Sequence, residues 1–186
     1  PIPQHREPLY STRPELVAKY PTHADRMAFW RLPTLYKTVQ EKNKDIGKTF
    51  PLVMTSGRLV EYEGGGDETR SNPWLAELQQ HMFVEVNPMD AAMAGARTGE
   101  DVWVESPNGA RIRVKAYVTE RVPSGIVWMP FHFGGWWMGE DLKKSYPEGA
   151  EPIVRGEAVN TIMTYGYDAV TMMQETKVSL CRLVGT

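Results

Sequence analysis

A glycine-rich stretch at the end of a predicted strand has the residue types needed to bind a polyphosphate. It runs from Thr55 to Arg70 and contains three consecutive glycines, Gly64 to Gly66. Consecutive glycines allow backbone N–H groups to approach a ligand closely, and the guanidinium groups of Arg58 and Arg70 can donate paired hydrogen bonds to a phosphate or to the edge of a heterocycle. The stretch therefore predicts a cradle for a nucleotide or another polyphosphate.

The same stretch has a simpler interpretation as a flexible surface loop. Four acidic side chains lie close to the two arginines in sequence and could pair with them in solvent; they are Glu61, Glu63, Asp67 and Glu68. The spacing of the glycines matches neither the P-loop nor the dinucleotide fingerprint of a Rossmann unit. Local chemistry alone therefore leaves both a phosphate site and an ion-paired loop open.

A second candidate site surrounds His132, which lies in an aromatic and glycine-rich run from Trp128 to Trp137 at the end of another predicted strand. An imidazole in this setting could bind a planar ring by stacking and hydrogen bonding. It could equally be a core histidine with a partner inside the protein. A metal site is disfavoured, because no carboxylate or second histidine lies at a ligand-like spacing from His132.

Two polar segments further along the chain form a third candidate site. Asn160 precedes Thr161, and Lys177 follows Glu175 and Thr176. An asparagine offers both a donor and an acceptor, which suits the edge of a guanine or a pterin, and a lysine can place a positive charge near an anion. Taken singly, these residues are also ordinary polar loop residues.

Composition excludes several classes of function. The 186 residues carry a formal net charge of -2 and the basic residues are scattered, so neither nucleic acid nor anionic lipid is indicated as a partner. The apolar runs are too short to span a bilayer, so no direct membrane insertion is expected. The one cysteine, Cys181, excludes an intramolecular disulfide and an all-cysteine metal or iron–sulfur site made by this chain alone.

Two regions are predicted along the chain. Residues 1–50 are rich in proline and aromatic residues without a regular period, which predicts an extended arm or linker. The N-terminus lacks an initiator methionine and a signal-peptide pattern, so we expect a longer parent chain. Residues 51–186 contain six strand-like runs that predict a barrel or sandwich: Pro51–Ser56, Met82–Val86, Asp101–Ser106, Arg111–Val118, Gly125–Met129 and Lys177–Val184.

Turn and cap residues place the remaining elements. The Asn108–Gly109 pair predicts a hairpin between the third and fourth strands, because Asn-Gly turns accept positive φ. Asn72–Pro73 and Asn87–Pro88 predict helix starts, since asparagine can accept a bond from the first free amides and proline needs no donor there. The first of these helices is predicted to run to Gln80. The stretch 132–157 shows no clear period and is interpreted as a long loop.

The order of these features resembles the C-terminal domain of the molybdopterin oxidoreductases. The helix at Asn87–Ala92 and the strand at Gly99–Val104 lie between the candidate sites as they do in that family. The resemblance covers roughly residues 51–186 and implies a mainly β fold, a six-stranded double-psi β-barrel like that of aspartate decarboxylase, with short flanking helices. The opening Pro1–Pro8 is similar to the linker that precedes the barrel in respiratory formate dehydrogenases, which implies formate as the substrate.

The resemblance also implies which residues contact the cofactor. They are Arg58, Tyr62, Glu63, Gly64, Gly65, Gly66, Thr69, Arg70, His132, Asn160, Thr161 and Lys177. Arg58 matches the arginine that follows the first barrel strand in formate dehydrogenases. Lys177 matches the lysine of a Pro-Glu-Tyr-Lys motif, in which Gln174 and Thr176 replace the proline and the tyrosine here.

The family implies a cofactor and a reaction that this chain would share with other domains. The implied cofactor is bis-(molybdopterin guanine dinucleotide) with molybdenum or tungsten, which serves the oxidation of formate to carbon dioxide. Electrons would pass to an iron–sulfur cluster upstream of this segment. The expected partners are the upstream domains of the same catalytic subunit and an iron–sulfur electron-transfer subunit, and the similarity to exported relatives implies the periplasm.

No residue of this chain is expected to be catalytic or to bind the metal. In the family, the metal-ligating cysteine or selenocysteine lies upstream, and Cys181 is interpreted as a buried strand residue. The isolated domain is therefore expected to be inactive. The alternative is a stand-alone double-psi barrel, either a small subunit or a protein-interaction module that docks through Trp136 and Trp137. A decarboxylase of the aspartate type is excluded, because no Gly-Ser dipeptide is present for self-cleavage.

Overall fold

Six strands among the described residues close into a barrel. The computed structural model describes residues 45–163 and 179–186. The barrel strands are β1 (Leu52–Gly57), β2 (Phe83–Val86), β3 (Asp101–Glu105), β4 (Arg111–Val118), β5 (Ile126–Pro130) and β9 (Ser179–Gly185). Three further short strands, β6 (Gly135–Trp137), β7 (Glu140–Asp141) and β8 (Gly156–Glu157), form a separate sheet. The barrel closes in the order β1–β5–β2–β4–β3–β9, which confirms the predicted fold class.

One parallel strand pair brings two distant parts of the sequence to the same rim of the barrel. Strand β1 pairs in parallel with β5, from Val53 opposite Ile126 to Gly57 opposite Pro130. Because parallel strands run in the same direction, both end at the same rim. The two candidate segments that follow these strands therefore begin side by side, although about seventy residues separate them in the sequence.

Alternating side chains fill the interior of the barrel. Strand β4 alternates polar and apolar side chains, as the sequence from Arg111 to Val118 does, and Ile112 and Val114 are buried within it. The largest fully buried side chains of the other strands are Met54 and Met129. Cys181 has no exposed surface, and burial raises the pKa of its thiol to about 12. The interpretation of this cysteine as a buried strand residue is thus confirmed, and its thiol is inert at neutral pH.

The predicted turn and helix caps are confirmed. Gly109 has φ +85 in the turn between β3 and β4. Helix α1 is Ile46–Thr49, α2 is Pro73–Leu78 and α3 is Pro88–Ala94. The Asn72 side chain accepts hydrogen bonds from the N–H groups of Trp74 and Leu75, and the Asn87 side chain accepts one from Met89. Helix α2 ends at Leu78, before the predicted end at Gln80.

The stretch 132–157 is more regular than the long loop that its sequence predicts. It contains β6, β7 and β8, in the order β7–β6–β8, and a short 3-10 helix at Lys143–Ser145. Strands of two or three residues are too short to show a hydrophobic period. The forked hydrogen bonds from Arg155 to Asp141, at 3.0 and 3.1 Å, hold this sheet through a contact that no local pattern reveals.

Most of the predicted arm lies outside the described residues. Of residues 1–50, the structure describes 45–50, in which Ile46 is buried and the Phe50 ring lies beneath the guanidinium group of Arg182, 5.3 Å from ring centroid to Cζ. The segment containing Lys177 is likewise outside the described ranges. Within the described part of the chain, no helix has the length and apolarity required to cross a membrane.

Asp90 at the start of α3 fixes the turn that leads into β5. Its carboxylate accepts hydrogen bonds from the Ser124 hydroxyl at 3.0 Å and from the Gly125 N–H at 2.7 Å. The Gly125 carbonyl in turn accepts a bond from Val53 of β1. A mostly buried carboxylate therefore sets where β5 meets β1.

We expect Asp90→Ala to lower the free energy of unfolding by about 2–3 kcal/mol, because hydrogen bonds to a charged acceptor are lost and the Gly125 N–H is left without a partner. Urea unfolding followed by circular dichroism measures the change. Glu120→Ala, which removes an exposed carboxylate from the same β4–β5 connection, is the control and should change the free energy by less than about 0.5 kcal/mol. Equal midpoints for the two variants would contradict the role of Asp90.

Candidate functional site

The segments that leave β1 and β5 pack against each other at one rim of the barrel. The Phe131 N–H donates to the Gly57 carbonyl, and the Leu59 N–H donates to His132 Nε2 at 2.8 Å. The exposed guanidinium group of Arg58 lies over the Phe131 ring, 5.2 Å from its centroid. The structure therefore brings the first two candidate sites together.

His132 is a core residue in this arrangement. It has no exposed surface, and its ring contacts Phe131 and Tyr62 at centroid distances of 4.9 and 5.8 Å. Because Nε2 accepts a hydrogen bond from Leu59, it carries no proton. Burial lowers the pKa of His132 from its ordinary value of 6.5, and the charge on Arg58 lowers it further. Among the residues that the structure describes, the buried Nδ1 atom has no hydrogen-bond partner. This geometry agrees with the core-histidine interpretation, satisfied at one nitrogen.

Tyr62 packs on the core side of the glycine-rich segment. Its side chain is buried, its hydroxyl donates to the Gln79 carbonyl, and its ring meets Phe133 edge to face at 5.6 Å. Burial raises the pKa of the Tyr62 phenol, so the hydroxyl stays protonated at neutral pH. The tyrosine thus links the glycine-rich segment to the end of α2 and faces the core rather than solvent.

The turn at Gly64–Gly66 is open on one side and tightly packed on the other. Gly66 has φ +78, and a Cβ atom there would lie 2.4 Å from the His132 carbonyl oxygen, so the position requires glycine. Gly65 is exposed, with no atom closer than 3.4 Å to a Cβ atom at that position. Within the described residues, the N–H groups of Gly64 and Gly65 make no hydrogen bond. Successive free amides in such a turn form a concave surface suited to an anion.

The two arginines of the segment are used differently. Arg58 extends over Phe131 and is exposed, whereas the Arg70 side chain donates to the carbonyls of Gly66 and Gly134. Across the described ranges, no ion pair joins either arginine to the four acidic residues near them in sequence. The ion-paired loop is therefore not the arrangement that the structure adopts. Thr69 accepts a bond from the Glu63 N–H and closes the turn.

The third candidate site is placed less completely. Asn160 and Thr161 lie on a 3-10 helix, Val159–Thr161, where Asn160 is exposed and the buried Val159 packs toward β4. The described contacts do not connect this pair to the glycine-rich segment, and Lys177 lies outside the described residues. The predicted site residues that do lie together at the rim are Arg58, Tyr62, Glu63, Gly64, Gly65, Gly66, Thr69, Arg70 and His132.

A groove beside the glycine-rich segment was not expected from the sequence. It has a volume of about 570 Å³ and runs along the outside of β2 and β4, where Phe83 and Tyr117 meet edge to face. Leu59 and Glu61 of the glycine-rich segment form part of its wall. None of the predicted cofactor-binding residues lines it, so the groove adjoins the predicted site without coinciding with it.

The family of the chain is decided by comparison with known sequences. The family model described as "Molydopterin dinucleotide binding domain" matches residues 52–180, well over half of the chain, from the first barrel strand into the last. The chain belongs to this family. The matched range contains the whole glycine-rich turn and the His132 segment, so the contacts at the rim are contacts within a molybdopterin dinucleotide-binding domain.

Individual relatives of this molybdopterin dinucleotide-binding domain are formate dehydrogenase subunits. The alpha subunit of an F420-dependent formate dehydrogenase 2 from Methanococcus maripaludis is 30% identical over 145 residues, which are 77% of this chain and 18% of that protein. Formate dehydrogenase 2 subunit alpha (cytochrome c-553) from Nitratidesulfovibrio vulgaris is 26% identical over 191 residues, 97% of this chain and 16% of that protein. The chain thus spans less than a fifth of the length of these relatives.

A solved structure shares the fold. Acetylene hydratase from Pelobacter acetylenicus matches with a TM-score of 0.60 and 16% sequence identity, over 96% of this chain and 23% of that one. At this identity the similarity establishes the fold of the molybdopterin dinucleotide-binding domain and nothing about substrate, since one fold serves many reactions.

Glu157 of the domain is a buried carboxyl group that the sequence did not distinguish from its acidic neighbours. It has no exposed surface, and its Oε1 atom accepts hydrogen bonds from the N–H groups of Arg113 and Gly139. Its buried Oε2 atom has no hydrogen-bond partner in the described part of the chain, and burial raises the pKa of this carboxyl group. Glu157 therefore fixes the β6–β7 turn against β4. In residues 45–163 and 179–186, no group of three or more His, Cys, Asp and Glu side chains could hold a metal ion.

His132 should make the stability of the domain depend on pH. Well above pH 6.5 the ring is neutral in both the folded and the unfolded chain. As the pH falls through 6.5, His132 becomes protonated in the unfolded chain but stays neutral in the folded chain, because its pKa is lower in the folded chain. The free energy of unfolding should therefore decrease from about pH 6.5 downward and level off below the folded pKa of His132.

The measurement is the free energy of urea unfolding between pH 8 and pH 5, a span of roughly three units around the ordinary histidine value, for wild type and His132→Gln. The glutamine can still accept the Leu59 N–H but cannot titrate, so this decrease should be missing from the variant. His81→Gln is the control, because His81 is exposed and its variant should keep the wild-type pH profile. Identical profiles for wild type and His132→Gln would show that His132 is protonated freely in the folded domain.

Proposed function

We propose that this molybdopterin dinucleotide-binding domain holds bis-(molybdopterin guanine dinucleotide), with molybdenum or tungsten, in an enzyme that oxidises formate to carbon dioxide. The observation that carries the proposal is the family match over residues 52–180, joined to relatives that are formate dehydrogenase alpha subunits. Because these relatives are several times longer than this chain, the reaction belongs to the larger protein and the binding role to this domain.

The described residues fit an anionic dinucleotide. Its pyrophosphate needs several hydrogen-bond donors. The N–H groups of Gly64 and Gly65, which bond to none of the described residues, and the exposed guanidinium group of Arg58 provide them at one rim. The acidic neighbours of Arg58 do not neutralise it in the described residues, so its charge is available to a ligand. The exposed amide of Asn160 and, outside the described ranges, Lys177 are the proposed contacts to the guanine or pterin edge.

The proposed role of this chain is to bind and orient the cofactor. The cofactor metal supplies the two-electron chemistry when it is bound. The buried ring of His132 and the packed ring of Tyr62 keep the glycine-rich turn in place, and we assign no catalytic residue to this chain. We propose that electrons leave through an iron–sulfur cluster in the upstream domains and an electron-transfer subunit, that the enzyme works in the periplasm, and that residues 1–50 form the linker to the upstream domains.

The experiment that tests the proposal measures cofactor content in the full-length parent enzyme. Arg58→Ala should reduce the molybdenum or tungsten bound per subunit, determined by mass spectrometry of the metal, and reduce formate-dependent dye reduction in proportion. The free energy of unfolding should change by less than about 0.5 kcal/mol, because the Arg58 side chain is exposed. The isolated chain should reduce no dye with formate. Arg97→Ala, an exposed arginine beyond α3, is the control and should retain full cofactor loading.

Full cofactor loading in the Arg58→Ala enzyme would contradict the proposed pyrophosphate contact, and turnover of formate by the isolated chain would contradict the division of roles. A protein-interaction module is the second candidate function. The observation that favours it is the β6–β7 turn, where the Trp137 side chain is 54% exposed beside Met138. It would gain support if Trp137→Ser abolished assembly with another subunit while the bound metal stayed at the wild-type level.

A further inference from the structure

Arg70 contacts backbone carbonyl groups of two separate segments. Its Nε–H donates to the Gly66 carbonyl at 3.0 Å, and an Nη1–H donates to the Gly134 carbonyl at 2.9 Å. The guanidinium group also packs against Gly134, since a Cβ atom at that position would be 3.6 Å from Nη1 and Nη2. The side chain therefore spans the gap between the glycine-rich turn and the connection that leads from β5 to β6.

The carbonyl groups that Arg70 binds are also acceptors in the backbone network of the rim. The Gly66 carbonyl accepts from the Arg70 N–H, and the Gly134 carbonyl accepts from the Gly156 N–H of β8. The Arg70 carbonyl accepts from the Val154 N–H, just before β8. One arginine thus joins the turn, the β5–β6 connection and the small sheet, which are otherwise separate in sequence.

We infer that Arg70 is a positioning residue, which holds the Gly64–Gly66 turn against Gly134 so that the free amides of the turn bind the anion. This inference rests on the proposed function, and it assigns Arg70 a different role from the phosphate donor that its sequence suggests. Gly66 has contacts on two sides of the turn. Its carbonyl accepts a hydrogen bond from the Arg70 side chain, and its α-carbon packs against the His132 backbone. The turn is shaped before any ligand arrives.

The geometry requires an arginine rather than a positive charge alone. A guanidinium group has N–H donors in fixed directions and can bond two carbonyls at once, whereas a lysine ammonium group is a single point on a flexible stem. The Arg70→Lys substitution keeps the positive charge but removes the paired N–H donors that bond both carbonyls. If Arg70 instead bound a phosphate through its charge, the lysine variant would keep most of the function.

Hydrogen–deuterium exchange of the ligand-free chain, followed by mass spectrometry, tests the positioning role directly. In both Arg70→Lys and Arg70→Ala, peptides that contain the N–H groups of Arg70 and Gly156 should exchange at least about tenfold faster, because the charge-assisted bonds that hold their acceptors, the carbonyls of Gly66 and Gly134, are lost. Peptides from β4 should be unchanged. Arg97→Ala is the matched control and should leave every peptide at the wild-type rate. Wild-type exchange in the Arg70→Lys chain would overturn the inference.

Two further measurements separate positioning from a general loss of structure. Free guanidinium ion at low millimolar concentration should restore slow exchange in Arg70→Ala, and methylammonium should not, since only a planar fork replaces both bonds. Calorimetric titration with guanosine diphosphate should give the Arg70→Lys chain an affinity as weak as that of the Arg70→Ala chain. An Arg70→Lys chain that bound guanosine diphosphate with the wild-type affinity would overturn the inference. If wild type binds no guanosine diphosphate, the proposed function loses support, and the exchange and rescue results still decide the role of Arg70.

Discussion

Gly66→Ala should destabilise the chain by about 2–5 kcal/mol. A residue with a side chain pays about 1–2 kcal/mol for the left-handed backbone conformation at φ +78, and a Cβ atom 2.4 Å from the His132 carbonyl oxygen must displace backbone, which adds about 1–3 kcal/mol. Because Gly66 also accepts the Arg70 bond, the displaced turn should lose its shape as well. Urea unfolding measures the first effect and binding of guanosine diphosphate the second.

Gly65→Ala is the matched control for this variant. Gly65 is exposed and does not have a positive φ, so its alanine variant should change the free energy of unfolding by less than about 1 kcal/mol. Both variants add one methyl group to the same turn. Only the methyl group at Gly66 lies against the His132 backbone. Equal stability of the two variants would show that Gly66 can move away from His132 at little cost.

His132→Ala should lower the free energy of unfolding by about 3–5 kcal/mol. The substitution removes a fully buried ring from between Phe131 and Tyr62, which leaves a cavity, and it leaves the Leu59 N–H without an acceptor. The loss should exceed that of His132→Gln, which keeps an acceptor. Chemical denaturation at pH 8 is suitable, because the wild-type ring is then neutral in both states.

His81→Ala is the control for this second prediction. His81 is exposed next to strand β2, and its removal should change the free energy of unfolding by less than about 0.5 kcal/mol. A His132→Ala chain as stable as His81→Ala would mean that the ring does not support the rim, and the described packing around Tyr62 would then have to rearrange easily.

The elements with strong local signals could be predicted from the sequence. The alternation in β4, the Asn108–Gly109 turn and the asparagine caps of α2 and α3 act over a few residues, and the structure places them where the sequence does. The small sheet of β6, β7 and β8 could not be predicted. Its strands are two or three residues long and its stability depends on pairing between Gly135 and Gly156, which is a long-range contact.

The candidate site could be predicted as a set of residues but not as a set of roles. The glycine-rich turn and His132 lie together because β1 and β5 are parallel neighbours, a pairing between residues about seventy apart that no local pattern shows. The functions of individual side chains depend on burial and on backbone partners. Arg58 and Arg70 have the same side chain and similar acidic neighbours in sequence, yet one is exposed over Phe131 and the other binds two carbonyls.

Closure of the barrel by β9 has a consequence for how the protein is made. Strand β9 pairs with β1 on one side and with β3 on the other, so Leu52 finds its partner Cys181 only after more than a hundred further residues have been synthesised. Until then a nascent chain presents the edges of β1 and β3 without partners, and unpaired strand edges readily join other chains. The barrel therefore cannot close during translation before residues 179–185 have left the ribosome. A ribosome stalled before Ser179 would carry an open sheet with the edges of β1 and β3 unpaired.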